Sequence, residues 1–298
     1  MNRHIHIHDP RRLWAGAIAQ TAANRGWSCS LVKPTNPMDG GYGFVRTHAH
    51  PEKLRDDQRT ASEMALRLRM IQDAAQVAVY DNKRAQIARW ARWMPETHVF
   101  DSFDRALAWA DKADYPIVSK ADVGASSVNV RLLRDFAAAE AHLTAVFAEG
   151  VEVSHCSMPH PAKSLQQGYV ILQPFIPHEI TYRVNAVGND RAVFFRRCFD
   201  DENKPFAQTG NVEPAYGMTD EIEPLIAWAD EVFEDIGSKW CALDVLETPN
   251  GYRLLETSLA WPWPSPGDCN NGRFLRGGRK WVEMFDVMFD ELEAGTWH

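Results

Sequence analysis

The segment Lys239-Trp-Cys-Ala-Leu-Asp-Val-Leu-Glu-Thr-Pro-Asn-Gly-Tyr-Arg-Leu-Leu-Glu-Thr-Ser258 reads as two strands around a turn. Pro249 and Asn250 suit a type I turn and Gly251 the left-handed position after it, which predicts a three-residue loop with Thr248 facing Tyr252. In that register Asp244 faces Glu256 on one side of the sheet, and strand alternation sends Arg253 to the other. Like charges directly opposed destabilise a sheet. A hard cation that prefers oxygen ligands, such as magnesium, relieves the repulsion. The alternative is a protonated or arginine-paired duo.

Working outward, the chain has 298 residues, more than one ordinary core needs, so two or three subdomains are expected. Apolar residues make up 45% and charged ones 24%, as in an ordinary soluble globular protein. The formal net charge of −8 gives no reason to expect nucleic acid as a partner. Cys29, Cys156, Cys198, Cys241 and Cys269 are scattered without paired short spacing, so they read as reduced thiols and not as a zinc site or disulfide framework. No apolar run suggests a signal peptide or a membrane span, so a soluble, cytoplasmic protein without a membrane partner is expected. Homo-oligomerisation is left open.

Residues 1–80 read as a small α/β unit: a strand at His4–His8, a helix over 13–25, a strand over 27–32, a loop over 34–43 and a helix over 52–72. His4, His6 and His8 share one face of their strand, and a solvated edge strand accounts for them better than a metal site does. A lid-like unit over 81–172 begins with an apolar, strand-like run ahead of Lys83 and a helix over 82–93 that stops at Pro95. Asp101 or Ser102 caps the next helix, the strands at 115–120 and 128–133 flank a small-residue loop, and Asp135 caps a further helix. The stretch 151–168 has little periodicity and reads as an irregular connector. Residues 173–298 form a mainly antiparallel unit with a hairpin over 179–187 and 191–199 across Gly188-Asn189, an amphipathic helix over 219–236, the carboxylate hairpin and a closing helix over 280–292.

Several residues carry possible chemistry. Lys120 ends a strand and leads into the loop Asp122–Ser127, whose backbone amides can approach phosphate while the lysine supplies a point charge. This is not the Gly-Lys-Ser/Thr loop of P-loop proteins. Lys83 opens a helix, Gln173-Pro-Phe-Ile176 closes a strand, Glu179 follows three residues later, and Arg183 and Arg196 share a face if Gly188-Asn189 is a two-residue turn. A one-residue slip exchanges Arg196 for Arg197. In this order, and over about residues 65–265, the pieces resemble the ATP-grasp superfamily, most closely its carboxylate–amine ligases related to ribosomal-protein glutamate ligase.

The resemblance implies an α/β (α+β) ATP-grasp fold with an N-terminal α/β unit, a lid and a C-terminal antiparallel catalytic unit. It implies ATP and Mg2+ as cofactors. Lys83 and Lys120 would meet phosphates, the loop around Ser126 would cover the triphosphate, Gln173, Phe175 and Ile176 would form the adenine hinge, and Glu179 would take the ribose hydroxyls. Asp244, Glu256 and Ser258 would hold metal, and Arg183 and Arg196 would face the transferred phosphoryl group. The chain departs from the family pattern at Ser258, where asparagine is usual, and in its flap, where Gly124 stands among fewer glycines than usual. Asn211 and Thr209 compete for one polar position, and Trp261-Pro-Trp-Pro264 reads as a rigid surface loop or a pocket wall. The implied reaction joins a small-molecule or peptide carboxylate to an amine, making an amide through an acyl phosphate. A kinase on the same scaffold and a non-catalytic ATP-binding regulatory protein are the alternatives.

Overall fold

The computed structural model describes residues 2–10, 12, 14–32, 38, 40–47, 51–124, 127–155, 162–178, 180–198, 207–214, 222–259 and 284–297; for 51–52, 195–198 and 207–214 it describes the backbone alone. Among these residues three sheets organise the fold, with a separate small hairpin.

The first is parallel. It is built from β1 (His4–His8), β2 (Ser28–Leu31), β3 (Tyr42–Val45) and β4 (Arg69–Met70), in the order β2-β1-β3-β4. Helices α1 (Ala15–Asn24), α2 (Pro51–Ala65) and α3 (Ala74–Val79) connect and follow them. Alternation along the strands decides which core each side chain enters. Ile5, Ile7 and Phe44 join Trp14 and Ile18 in one core, whereas Val45 and Met70 join Ala61 and Met64 in another.

The sequence reading needs four corrections in this unit. The helix expected to reach residue 72 stops at Ala65, because Arg69 and Met70 pair with Tyr42 and Gly43. The strand-like run before Lys83 is the helix α3, started by the Asp73 side chain accepting from the Ala75 N–H. The expected loop over 34–43 gives way at Tyr42 to β3, four buried residues that complete the sheet. The histidine strand is interior rather than an edge. His6 is buried, Ser30 Oγ lies 2.9 Å from His4 and 3.1 Å from His6, and His8 pairs with Asp57 at 2.7 Å.

The second sheet is antiparallel, ordered β5-β10-β6-β7 from β5 (His98–Phe100), β6 (Ile117–Lys120), β7 (Val130–Leu133) and β10 (Val170–Pro174). Helices α5 (Phe103–Ala110) and α6 (Phe136–Ala148) cover it, and Ser102 and Asp135 cap them through backbone N–H groups three residues on. These elements share a core of their own around Ile117, Leu143, Val146 and Leu172. Residues 151–168 are not an irregular connector throughout: β8 (Val151–Ser154) and β9 (Lys163–Gln166) form an antiparallel hairpin. Leading into this unit, α4 (Lys83–Trp90) is capped by Asn82 and buries Trp90 in the core shared with α2 and α3.

The third sheet, ordered β13-β12-β11-β14-β15, has five antiparallel strands: β11 (Ile180–Val187), β12 (Asp190–Cys198), β13 (Ala207–Pro214), β14 (Trp240–Thr248) and β15 (Gly251–Ser258). Helix α7 (Glu223–Ile236) packs Leu225, Ile226, Ala229, Val232 and Phe233 against one face and ends at Gly237, whose φ of 71° suits glycine. Helix α8 (Met284–Ala294) packs Phe285, Met288 and Phe289 into the core shared with β1 and α1.

Candidate active site

The carboxylate hairpin reaches the expected pairing by another route. Its turn has two residues, not three: Thr248 pairs with Gly251, Glu247 with Tyr252 and Val245 with Leu254. Carried on unchanged, that register would place Leu255 opposite Asp244 and turn Glu256 toward the core. A bulge between Val245 and Asp244 on the pairing ladder absorbs Leu255, and Asp244 faces Glu256 after all. Bulges next to functional sites commonly re-aim a side chain in this way. The shorter turn also corrects the placement of Arg253, which pairs with Leu246, two residues from Asp244 on the same side of β14.

Protein cations already relieve the like-charge pair. Arg183, opposite Asp244 on β11, donates from Nε and Nη2 to its two carboxylate oxygens at 2.8 and 3.0 Å. Lys83 Nζ lies 3.1 Å from Glu256 Oε2 and 3.1 Å from the Gly124 carbonyl oxygen. Burial opposes the charge on both cations, but Asp244 for Arg183 and Glu256 for Lys83 outweigh it, so each pKa rises. A bidentate guanidinium–carboxylate pair is among the stronger polar contacts, and its largely buried position keeps solvent from screening it fully.

Lys120 has no such balance. Burial, reinforced by the charge of Lys83, lowers its pKa to about 8, with Glu256 pulling the other way. Asp81 is the inverse case. Burial raises its pKa to about 6 despite Lys83 and the N–H of Gly124, which donates to its Oδ1 at 2.9 Å. Asp81 sits at φ 52°, in the left-handed region. Asp81 and Lys83 thus hold the two ends of the Gly124 residue, in the loop between β6 and β7. Asp122 adds to the grip by accepting from the Arg84 backbone N–H and Nε, both at 2.8 Å.

One cleft, open to solvent, collects most of the predicted residues: Lys83, Lys120, Gln173, Phe175, Ile176, Asp244 and Glu256 all line it. Lys83 enters from α4, Lys120 from β6, and Asp244 and Glu256 from β14 and β15, so the cleft lies between the β5-β10-β6-β7 sheet and the five-stranded sheet. Its apolar walls include Val118, Leu246 and Leu255. The cleft also holds residues the sequence reading passed over. His178 Nδ1 lies 2.7 Å from the Ile176 carbonyl oxygen, and Asn129 donates to the carbonyls of Val123 and Ser154 at 2.8 and 2.7 Å. Of these contacts, the one to Ser154 reaches backbone 25 residues away, which no spacing marks.

Arg183 reaches the site through Asp244. Ser258 lies two residues beyond Glu256, near the partly buried Tyr80, whose pKa burial and then Asp81 push up to about 12. The backbone of Arg196 pairs with Thr181 and that of Arg197 with Ile180, but both side chains lie outside the described residues. Ser126, Glu179 and the Trp261–Pro264 loop also lie outside them, as do the side chains of Thr209 and Asn211.

Two facing carboxylates with a hydroxyl beside them are hard oxygen donors, and they fit magnesium. Among the described residues no three His, Cys, Asp or Glu side chains form a metal-holding group, so no all-protein cage exists there. Magnesium does not require one, because it commonly uses one or two carboxylates together with substrate phosphates. Among the described residues no helix is long and apolar enough to cross a membrane.

No protein-family model matches the sequence, and no curated protein matches it. Solved structures do resemble the fold along nearly its whole length. A RimK domain protein ATP-grasp from Sphaerobacter thermophilus is 19% identical with a TM-score of 0.59, covering 96% of this chain and 98% of that one. The D-cycloserine synthetase DcsG is 15% identical with a TM-score of 0.60, covering 97% and 99%. The ATP-grasp ligase PsnB, complexed with precursor peptide PsnA2 and AMPPNP, is 12% identical with a TM-score of 0.61, covering 97% of each chain. With its parallel N-terminal sheet, separate antiparallel sheets and the cleft between them, the chain has the ATP-grasp fold.

Proposed function

We propose that the chain is an ATP-dependent carboxylate–amine ligase that uses Mg2+ and forms an amide or peptide bond through an acyl phosphate. The observation that carries this reading is the meeting of Lys83, Lys120 and Arg183 with the facing pair Asp244 and Glu256 in one cleft with apolar walls. Cations and carboxylates on this plan serve a polyphosphate: the cations take its oxygens, and the carboxylates take its metal. The relatives support the choice, since PsnB is an ATP-grasp ligase seen with a precursor peptide and DcsG is a synthetase. The same reading divides the chain into an N-terminal unit over 1–80, a lid over 81–172 and a catalytic unit over 173–298.

In this mechanism Val118, Phe175, Ile176 and Leu246 enclose the adenine, and Lys120 and Lys83 hold phosphate oxygens. Asp244 and Glu256, with Ser258 beside them, would hold magnesium, which when bound screens phosphate charge and orients transfer. A substrate carboxylate attacks the γ-phosphorus and ADP leaves. The amine then attacks the acyl carbon, loses its proton, and inorganic phosphate departs. Arg183 and the lysines supply fixed positive charge where negative charge develops, the main contribution open to a protein in phosphoryl transfer. The flap held by Asp81 and Lys83 keeps water from the acyl phosphate.

The test is Asp244→Asn combined with Glu256→Gln, assayed for magnesium-dependent ADP release while amino acids and peptides are screened and products weighed by mass spectrometry. Loss of at least a hundredfold in ADP release is expected, with an amide product in the unaltered enzyme. Full activity in the double variant would refute the metal assignment. ADP formation with a phosphorylated product and no amide would indicate a kinase, and tight ATP binding without turnover a regulatory protein.

A further inference from the structure

Among the described residues β15 is an edge strand, with β14 on one side and no strand on the other. At Thr257 a side chain pairs with the outward backbone groups as a strand would. Gln86 Oε1 accepts from the Thr257 backbone N–H at 2.9 Å, and Gln86 Nε2 donates to the Thr257 carbonyl at 3.3 Å. The same Nε2 donates to the Val79 carbonyl at 3.3 Å. Gln86 is 2% exposed, so these bonds form away from water, where leaving a backbone group unpaired is costly. An amide carries both the donor and the acceptor this bracket needs; a carboxylate lacks the donor.

The location of the bracket gives it meaning. Thr257 directly follows Glu256, on the stretch where the bulge has interrupted the regular ladder. Gln86 lies three positions after Lys83 on α4, hence on the same side of that helix. The helix bearing Lys83 is therefore tied to the strand bearing Glu256 one step from their 3.1 Å contact. Gln86 does not line the main cleft, so it acts through these two residues and not on a ligand.

We propose that Gln86 is a positioning residue that sets where Glu256 presents its carboxylate to magnesium and how far Lys83 stands from it. The proposal rests on the reading of Glu256 and Lys83 given above. Outer-shell partners of metal ligands typically cost about 10- to 100-fold in metal affinity when removed. Gln86→Met removes all three bonds at nearly constant volume, and Gln86→Asn withdraws the amide by one methylene while keeping it polar. For either variant, the magnesium concentration that half-saturates binding of a non-hydrolysable ATP analogue, measured by calorimetry, should rise by about tenfold. Hydrogen exchange at the Thr257 amide should accelerate in parallel.

Gln76→Leu serves as the control. It removes another buried amide bond, from Gln76 Nε2 to the Ile236 carbonyl at 2.8 Å, far from the carboxylates. That variant should lose thermal stability while its magnesium midpoint stays put. If a Gln86 variant loses stability with its magnesium midpoint unchanged, the residue is merely structural and the proposal fails alone. If the unaltered protein binds the analogue with no magnesium dependence, the proposal and the ligase reading fall together.

Discussion

Lys120 and Lys83 are the same residue type in one cleft, yet their surroundings move their protons in opposite directions. Lys83 has Glu256 to hold its charge, while Lys120 is buried with Lys83 as a neighbour, and its pKa falls to about 8. The nucleotide-free protein therefore carries a half-charged Lys120 near pH 8. A bound polyphosphate favours the charged form, so above pH 8 binding must take up a proton, and affinity should fall as pH rises, approaching tenfold per unit. Lys120→Arg, which stays charged throughout, should give a flat profile over the same window. Nucleotide titrations between pH 7 and 9.5 check this, and identical profiles for the two proteins would contradict it. Both lysines were legible in the sequence because each stands at a recognisable boundary, one at a helix start and one at a strand end. Asp81 and Gln86 were not. What they do depends on Gly124 and Thr257, 43 and 171 residues away, and nothing local announces the pairing.

Among the elements, the flap is the one whose chemistry can be tested by a single methyl group. Gly124 has φ 112°, and a Cβ there would lie 2.8 Å from the Ser154 carbonyl oxygen and closer still to Asn129. The strain belongs to the backbone as well as to space, since residues other than glycine rarely adopt that conformation. Gly124→Ala should cost on the order of 1–3 kcal/mol in stability. It should also raise the KM for ATP, because the residue gripped by Asp81 and Lys83 must shift. Thermal unfolding and steady-state kinetics measure the two effects, and an unchanged KM would detach the flap grip from nucleotide binding. Elements with strong local signals were readable in advance: α6 with its Asp135 cap, α7 with its apolar stripe, and the Gly188-Asn189 hairpin. The hairpin of β14 and β15 was right in its key pair and wrong in its turn, because the two-residue turn and the bulge shift the register by equal and opposite amounts. Short strands such as β3, β4 and β5 escaped notice, since two to four residues carry too little periodicity to outweigh their neighbours.

Across the whole molecule, the cores divide differently from the sheets. The parallel sheet and the five-stranded sheet are joined by two shared cores, one linking Val45, Met64 and Met70 to Leu225, Leu243 and Leu254, the other linking Ile5, Ile7 and Phe44 to Trp240 and Phe285. The core around Leu143, in the unit proposed as the lid, takes no described residue from either. Order along the chain was enough to foresee three units, but not this coupling, which depends on side chains meeting across more than 200 residues of sequence. The consequence is that the lid should open or melt as a cooperative unit while the body stays folded, as regions with separate cores do. Leu143 is fully buried, and Leu143→Ala should cost about 2–5 kcal/mol, confined to the lid. Hydrogen exchange should then accelerate in β6 and β10 and stay unchanged in β1 and β14. Met64 is also fully buried, but in a shared core, so Met64→Ala should accelerate exchange in β3 and β14 together. On the proposed function, saturating nucleotide and magnesium should slow the lid's exchange in the Leu143 variant, because the ligand would bridge Lys120 on the lid to Glu256 on the body and bind only when both are folded. Uniform acceleration across all three sheets from Leu143→Ala would show that the lid does not unfold separately.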